Sequence, residues 1–172
     1  MSLTMQSEFN DKYHTLNDVW TMWAHLPHDT NWDLNSYKKI TDINCIEQIL
    51  DIEKIFPETM VKNCMLFCMR KDISPTWEHP SNRKGGSFSF KINNADIYKI
   101  WNELLMSLLS EMLIKEEILN KNINGITISP KKNFCILKIW MRDVSIQNVK
   151  LLNIPNIIDT KSTIFKQHNP EN

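Results

Sequence analysis

The sequence predicts an α+β fold, an antiparallel sheet with helices packed on one face. Three observations carry that expectation. Short apolar segments, several with period-two alternation, recur along the chain. Brief polar links join neighbouring segments, as hairpins require. One long amphipathic stretch stands among them. At 172 residues, 42% hydrophobic and 23% charged, the chain suits one domain with a sizeable core.

Taken in order, "HTLNDVWTMWAHL" (14–26) is expected to be a strand that runs into the loop "PHDTNWDLN". "SYKKITDI" (36–43) follows as a second strand. "CIEQILDIEKIF" (45–56) places apolar residues at 46, 49, 50, 52 and 55, close to helical spacing, and Pro57 is expected to stop it. "NCMLFCMRKDI" (63–73) and "GSFSFKI" (86–92) read as further strands.

The stretch 93–113 carries Ile97, Ile100, Trp101, Leu104, Leu105, Leu108, Leu109, Met112 and Leu113 in one apolar stripe. It predicts a helix opened by Asn93 or Asn94 as N-cap. "INGITIS" and "FCILKIWM" form a hairpin through "PKKN", followed by a short helix around "SIQNVKLLN" and one or two terminal strands. Residues 1–12 are expected to be a disordered tail, 13–168 a single domain and 169–172 a second tail.

Formal net charge is zero, so anion binding has to come from a local cluster rather than a global field. Four cysteines without a CxxC pair fit a reduced, cytoplasmic protein, and no apolar run approaches a membrane span. His25 and His28 lack a further ligand nearby, so no metal or cofactor is expected. No nucleophile motif, P-loop or catalytic carboxylate pair is present, so a non-enzymatic role is expected.

Six tryptophans sort by setting. Trp101 belongs to the helix stripe, and Trp20 and Trp23 lie in a strand with other large residues. Trp32 and Trp77 instead sit in polar loop segments, "HDTNWDLN" and "ISPTWEHPSN". They either cover the core edge or form aromatic platforms for a planar ligand. Glu78 follows Trp77, and a carboxylate can accept from the adjacent N1–H and N2–H₂ donors of guanine. Lys131, Lys132 and Lys138 supply charge that could meet phosphates; the alternative is a solvated hairpin tip at "PKKN".

The segment "ISPTWEHPSNRKGGSF" (73–88), the tryptophan spacing and the order of elements resemble the translation initiation factor 4E family of messenger-RNA cap-binding proteins. The most specific piece is P-x-W-E followed by N-x-x-G-G, at Pro75, Trp77, Glu78, Asn82, Gly85 and Gly86. His14, Trp20, Trp23, Trp32, Gly125 and Trp140 match in order. The resemblance implies a curved antiparallel sheet with helices on its convex back and a cap slot on its concave face. It implies that Trp32 and Trp77 sandwich 7-methylguanine, that Glu78 and the Trp77 backbone N–H read the base, and that Trp140 contacts the methyl group. The cationic base adds a cation–π attraction to each stack.

Departures are equally specific. Ser87-Phe88 stand where the family has Arg-Trp, which removes one phosphate ligand. Lys131 stands for the other arginine, with Lys132 beside it, and Lys138 lies two residues past the family's lysine position at Ile136. On the back, the resemblance places a partner face at His14, Cys45, Ile49, Asn102, Glu103 and Met106, where the family grips a peptide of the scaffold factor 4G or of repressors. Ile49 replaces a tryptophan there, so recognition of the usual scaffold is expected to be altered. The expected partners are capped mRNA and, with changed recognition, such a scaffold or repressor protein; the expected state is a monomer. The glycines at 85 and 86 are read as permitting a sharp turn into the next strand.

Overall fold

A computed structural model describes residues 13–169. The tail expected at 1–12 and residues 170–172 lie outside the described residues. Seven strands form one antiparallel sheet: β1 (Thr15–His25), β2 (Tyr37–Cys45), β3 (Met65–Arg70), β4 (Gly86–Asn93), β5 (Ile123–Pro130), β6 (Phe134–Met141) and β7 (Ile164–Gln167). Their spatial order is β2-β1-β3-β5-β6-β4-β7. The β1–β2 and β5–β6 neighbours are consecutive in the chain, as short links favour.

Period-two alternation assigns the faces. Trp20, Met22 and Ala24 of β1, Leu66 and Cys68 of β3, Ile126 and Ile128 of β5, and Leu137 and Ile139 of β6 join the main core. The intervening residues Phe67, Met69 and Trp140 form a smaller cluster on the opposite, concave face, with Trp23, Tyr37 and Met65 packed against it. The helices cover the convex face: α1 (Ile46–Leu50), α2 (Ile52–Ile55), α3 (Glu58–Asn63) and α4 (Ile97–Leu109). Trp101 and the α4 leucines 104, 105, 108 and 109 are buried in the main core, where the stripe predicts them.

The helix expected at 93–113 is trimmed at both ends. Asn93 belongs to β4, and its side chain accepts from the Ala95 N–H at 3.0 Å in a turn ahead of the first helical residue. At the other end Glu111 adopts φ 57°, and the Met112 N–H donates to the Ser107 carbonyl at 2.7 Å. That six-to-one bond is the Schellman stop, here without glycine. Met112 therefore leaves the stripe and is 64% exposed, while Leu113 remains buried. The helix expected at 45–56 is broken at Asp51, and the segment after Pro57 forms α3.

All three glycines occupy tight places, and none has positive φ. A Cβ on Gly85 would fall 1.9 Å from the Met141 carbonyl oxygen, and one on Gly86 2.6 Å from the Phe165 ring. Close approach, not a left-handed turn, is what requires glycine at these two positions, which corrects the expectation.

Candidate functional site

A cavity of about 540 Å³ opens on the concave face. Trp32, Tyr37, Trp77, Glu78, Lys131, Lys138 and Trp140 all line it. Six expected residues from four separate segments thus converge, and Tyr37 joins them. Lys132 does not line this cavity; it points into a neighbouring one.

The loop between β3 and β4 carries Trp77 and Glu78, and Asn82 holds it. Asn82 is fully buried and its amide donates to the carbonyls of Ser74 (3.0 Å) and Thr76 (2.8 Å). Its side-chain oxygen accepts from Asn124 at 2.9 Å, and its carbonyl accepts from His168 Nδ1 at 2.9 Å. Four hydrogen bonds on one residue fix the loop internally and tie it to β5 and to the end of β7. The Asn of the N-x-x-G-G motif is therefore a clamp, and Gly85 and Gly86 dock the loop against β6 and β7.

Each exposed tryptophan is backed by a histidine. Trp32 lies parallel to His25, with centroids 4.3 Å apart and planes 5° apart, and is itself 58% exposed. His25 is buried, bonds the Asn31 carbonyl at 2.7 Å and packs edgewise on Tyr37 at 5.2 Å. Trp77 is 41% exposed and runs nearly parallel to His168, 6.0 Å away. His168 also tilts against Trp140 at 4.9 Å. His25 thus covers one face of Trp32, and the exposed part of each tryptophan is available to a ligand.

Trp140 differs from the other two. It is 97% buried in effect, at 3% exposure, and its indole N–H donates to Thr127 Oγ1 at 2.7 Å, which fixes its edge at the cavity floor. Burial, and then the Glu78 charge, push the Tyr37 phenol up to about 12. Tyr37 therefore remains an O–H donor at any physiological pH.

Cations gather on one side. Lys138 Nζ lies 5.5 Å from the Trp77 ring centroid. Burial, then the charges of Lys166 and Lys131, lower the Lys138 pKa. An anion there would relieve that like-charge repulsion. Lys166 is a residue that sequence reasoning missed. Ser87 pairs with Trp140 on β6 and with Lys166 on β7, and directly opposed residues share a face. A positive charge thus stands one strand across from Ser87. Only the β4–β7 register reveals it. His25, Tyr37, Asn124 and His168 were also missed, since nothing in their local sequence marks them as neighbours of the loop.

Burial also pushes the His168 pKa below the usual imidazole value, opposed by the Asn82 bond and aided by Lys138. His168 is thus neutral near pH 7, with Nδ1 as the donor to Asn82.

On the convex side the expected partner residues separate. His14 is held against α1: its Nδ1 lies 2.7 Å from Glu47, and its carbonyl accepts from the Ile46 N–H at 2.8 Å. Glu103 and Met106 are exposed on α4, and Asn102 is half-buried beside them. Cys45 and Ile49 are buried at 2% and 6% exposure, which corrects their placement on a partner face. The reason is helical phase: α1 turns Ile49 inward with Ile52, and turns Ile46 and Leu50 out. The exposed apolar residues there are Ile46, Leu50 and Met106.

Among the described residues no cluster of metal-ligating side chains occurs, and no helix is long and apolar enough to cross a membrane.

Residues 15–170 match the family described as Eukaryotic initiation factor 4E. The initiation factor 4E of Eremothecium gossypii is 28% identical over 151 residues, 83% of this chain and 68% of that protein. That of Candida albicans is 27% identical, covering 97% of this chain and 85% of the relative. A homologue from Acanthamoeba polyphaga mimivirus is 27% identical, over 72% of this chain and 57% of its own. Among solved structures, C. elegans eIF4E-3 with the 4E-binding protein Mextli superposes with TM-score 0.74 at 19% identity, over 91% of this chain and 94% of that one. Schistosome eIF4E complexed with m7GpppG and 4E-BP gives TM-score 0.69 at 21% identity, over 78% and 75%. The sheet, its helical back and the sequence match agree, and this chain belongs to the eukaryotic initiation factor 4E family.

Proposed function

We propose that this protein binds the 7-methylguanosine 5′ cap of messenger RNA in the concave slot, without catalysis, and acts in translation initiation or its regulation. The observation that carries the proposal is the convergence of Trp32, Trp77, Glu78 and the lysines on one cavity. The methylated base is cationic and enters between the open faces of Trp32 and Trp77, gaining stacking and cation–π attraction. Glu78 accepts from N1–H and N2–H₂, and the Trp77 backbone N–H donates to O6. Trp140 meets the methyl group from the floor. The triphosphate runs toward Lys131, Lys138 and Lys166, with Lys132 beyond them. Support also comes from the relatives: the Schistosome protein is complexed with m7GpppG, and Ascaris suum eIF4E-3 with an m2,2,7G cap.

Lysines act as point charges without the bidentate fork of arginine, so the phosphate contacts are less dependent on geometry. Titration with 7-methyl-GTP and with GTP, read by quenching of tryptophan fluorescence, tests the proposal. Quenching by the methylated nucleotide at concentrations where GTP is silent is expected. Equal response to both would overturn it.

A second reading rests on the convex face. Cys45 and Ile49 are core residues there, and Ile49 stands where the resemblance places a tryptophan. The protein then serves as a repressor, a decoy or a family-shaped interaction module that does not recruit the usual scaffold. Nanomolar binding of a standard scaffold-factor 4G peptide would exclude that reading.

A further inference from the structure

Beside the slot lies a second cavity of about 930 Å³, framed by the link after β1, the end of α3, the start of the β4–α4 link and the β5–β6 tip. We propose that it takes the ribose–phosphate chain of the first nucleotides following the cap, an inference that rests on the cap reading.

Three observations carry it. Lys131 lines both cavities, so a phosphate chain that passes Lys131 on leaving the slot arrives at this second space. The lining is cationic: Lys62, Lys131 and Lys132 contribute, and no carboxylate does. Among the described residues no ion pair holds Lys131 or Lys132, and Lys62 has only an exposed helical pair with Glu58. Such a pair is worth little and exchanges readily for a phosphate.

The frame is also ordered before any ligand arrives. The Lys131 N–H donates to the Phe134 carbonyl at 2.8 Å, closing the hairpin tip. Asn94 joins that tip to α4 by bonding the Lys132 carbonyl (3.5 Å) and accepting from Cys135 Sγ (3.4 Å). Asn63 contributes an amide from the α3 end, a group able to bond a ribose 2′-hydroxyl. Charges spread over α3 and the hairpin suit successive phosphates of a single strand better than one compact anion.

The test compares 7-methyl-GTP, a capped pentanucleotide and the same pentanucleotide uncapped, titrated at 50 and 200 mM salt against wild type and Lys62→Ala. Lys62 does not line the slot, and alanine suits its helical position. Wild type should bind the capped pentanucleotide more tightly and with a steeper salt dependence than 7-methyl-GTP. Lys62→Ala should lower that slope by about 0.7, roughly a 2.5-fold smaller loss across this salt range, with 7-methyl-GTP unchanged. Equal binding of the capped pentanucleotide by both proteins would overturn the inference. If 7-methyl-GTP failed to bind at all, the cap reading would fall by itself. The uncapped pentanucleotide then decides the cavity: weaker binding by Lys62→Ala keeps an RNA site there, and equal binding removes it.

Discussion

The two ends of the concave slot are assembled from different kinds of sequence. At the end proposed to read the base, Trp77 and Glu78 lie side by side in one loop, and Asn82, a few residues on in the same loop, clamps it with four hydrogen bonds. At the end proposed to meet the phosphates, Lys131 and Lys138 line the cavity from the hairpin tip and β6, and Lys166 of β7 lies near enough for its charge to act on Lys138. A loop braced internally by Asn82 tolerates little change. A charge cluster built from long side chains on separate strands can be redistributed, and under the proposed function Ser87 with Lys166 opposite it is one such redistribution.

The largest effect that would break this contrast comes from the plates. Trp77→Ala should weaken 7-methyl-GTP binding by about 1–3 kcal/mol, and Trp32→Ala similarly, measured by titration calorimetry on folded protein. Glu78→Gln should cost about 1–3 kcal/mol and should erode the preference for guanine over other bases, since the amide presents a donor where an acceptor is needed. Asn82→Ala touches no ligand, yet it orphans the Ser74 and Thr76 carbonyls and leaves the Asn124 amide with the Ser81 carbonyl alone. It should lower stability by about 1–3 kcal/mol in denaturant unfolding and weaken cap binding along with it.

Lys138→Ala and Lys166→Ala address the other end. Each should cost up to about 1 kcal/mol toward 7-methyl-GTP and almost nothing toward 7-methylguanosine, which lacks phosphates. Comparable losses for both ligands would show that the lysines serve the base end instead.

The smallest expected effect concerns pH. The folded-state pKa of His168 is depressed below 6.5. Its contribution to stability is therefore present above about pH 6.5 and lost as the pH falls through the folded value. Because His168 backs Trp77 and Trp140, unfolding midpoints and cap affinity should decline together on acidification. His168→Phe, which cannot charge, should flatten that acid limb.

Much of the fold was legible because period two marks strands, as in "GSFSFKI" (86–92), whereas β3 is apolar on both faces and only the structure separates its core side from its slot side. That Trp32, Trp77 and Glu78 meet at one cavity was legible because the two tryptophans stand out in polar segments and Glu78 follows Trp77 directly. What was not legible depends on register and packing. Lys166 lies in a short terminal strand with nothing local to single it out, and its role appears only opposite Ser87. His25 and His168 act by backing tryptophans from other segments. The helix limits erred for a local reason: Glu111 supplies the left-handed stop that glycine usually supplies. Ile49 was misplaced because five residues of α1 fix no phase until they pack.

The most direct measurement of the central claim is fluorescence titration of wild type and Trp77→Ala with 7-methyl-GTP and GTP. The account predicts strong quenching of wild type by 7-methyl-GTP, little by GTP at the same concentration, and loss of the methylated response in the folded variant. A folded Trp77→Ala protein that bound 7-methyl-GTP as tightly as wild type would contradict it.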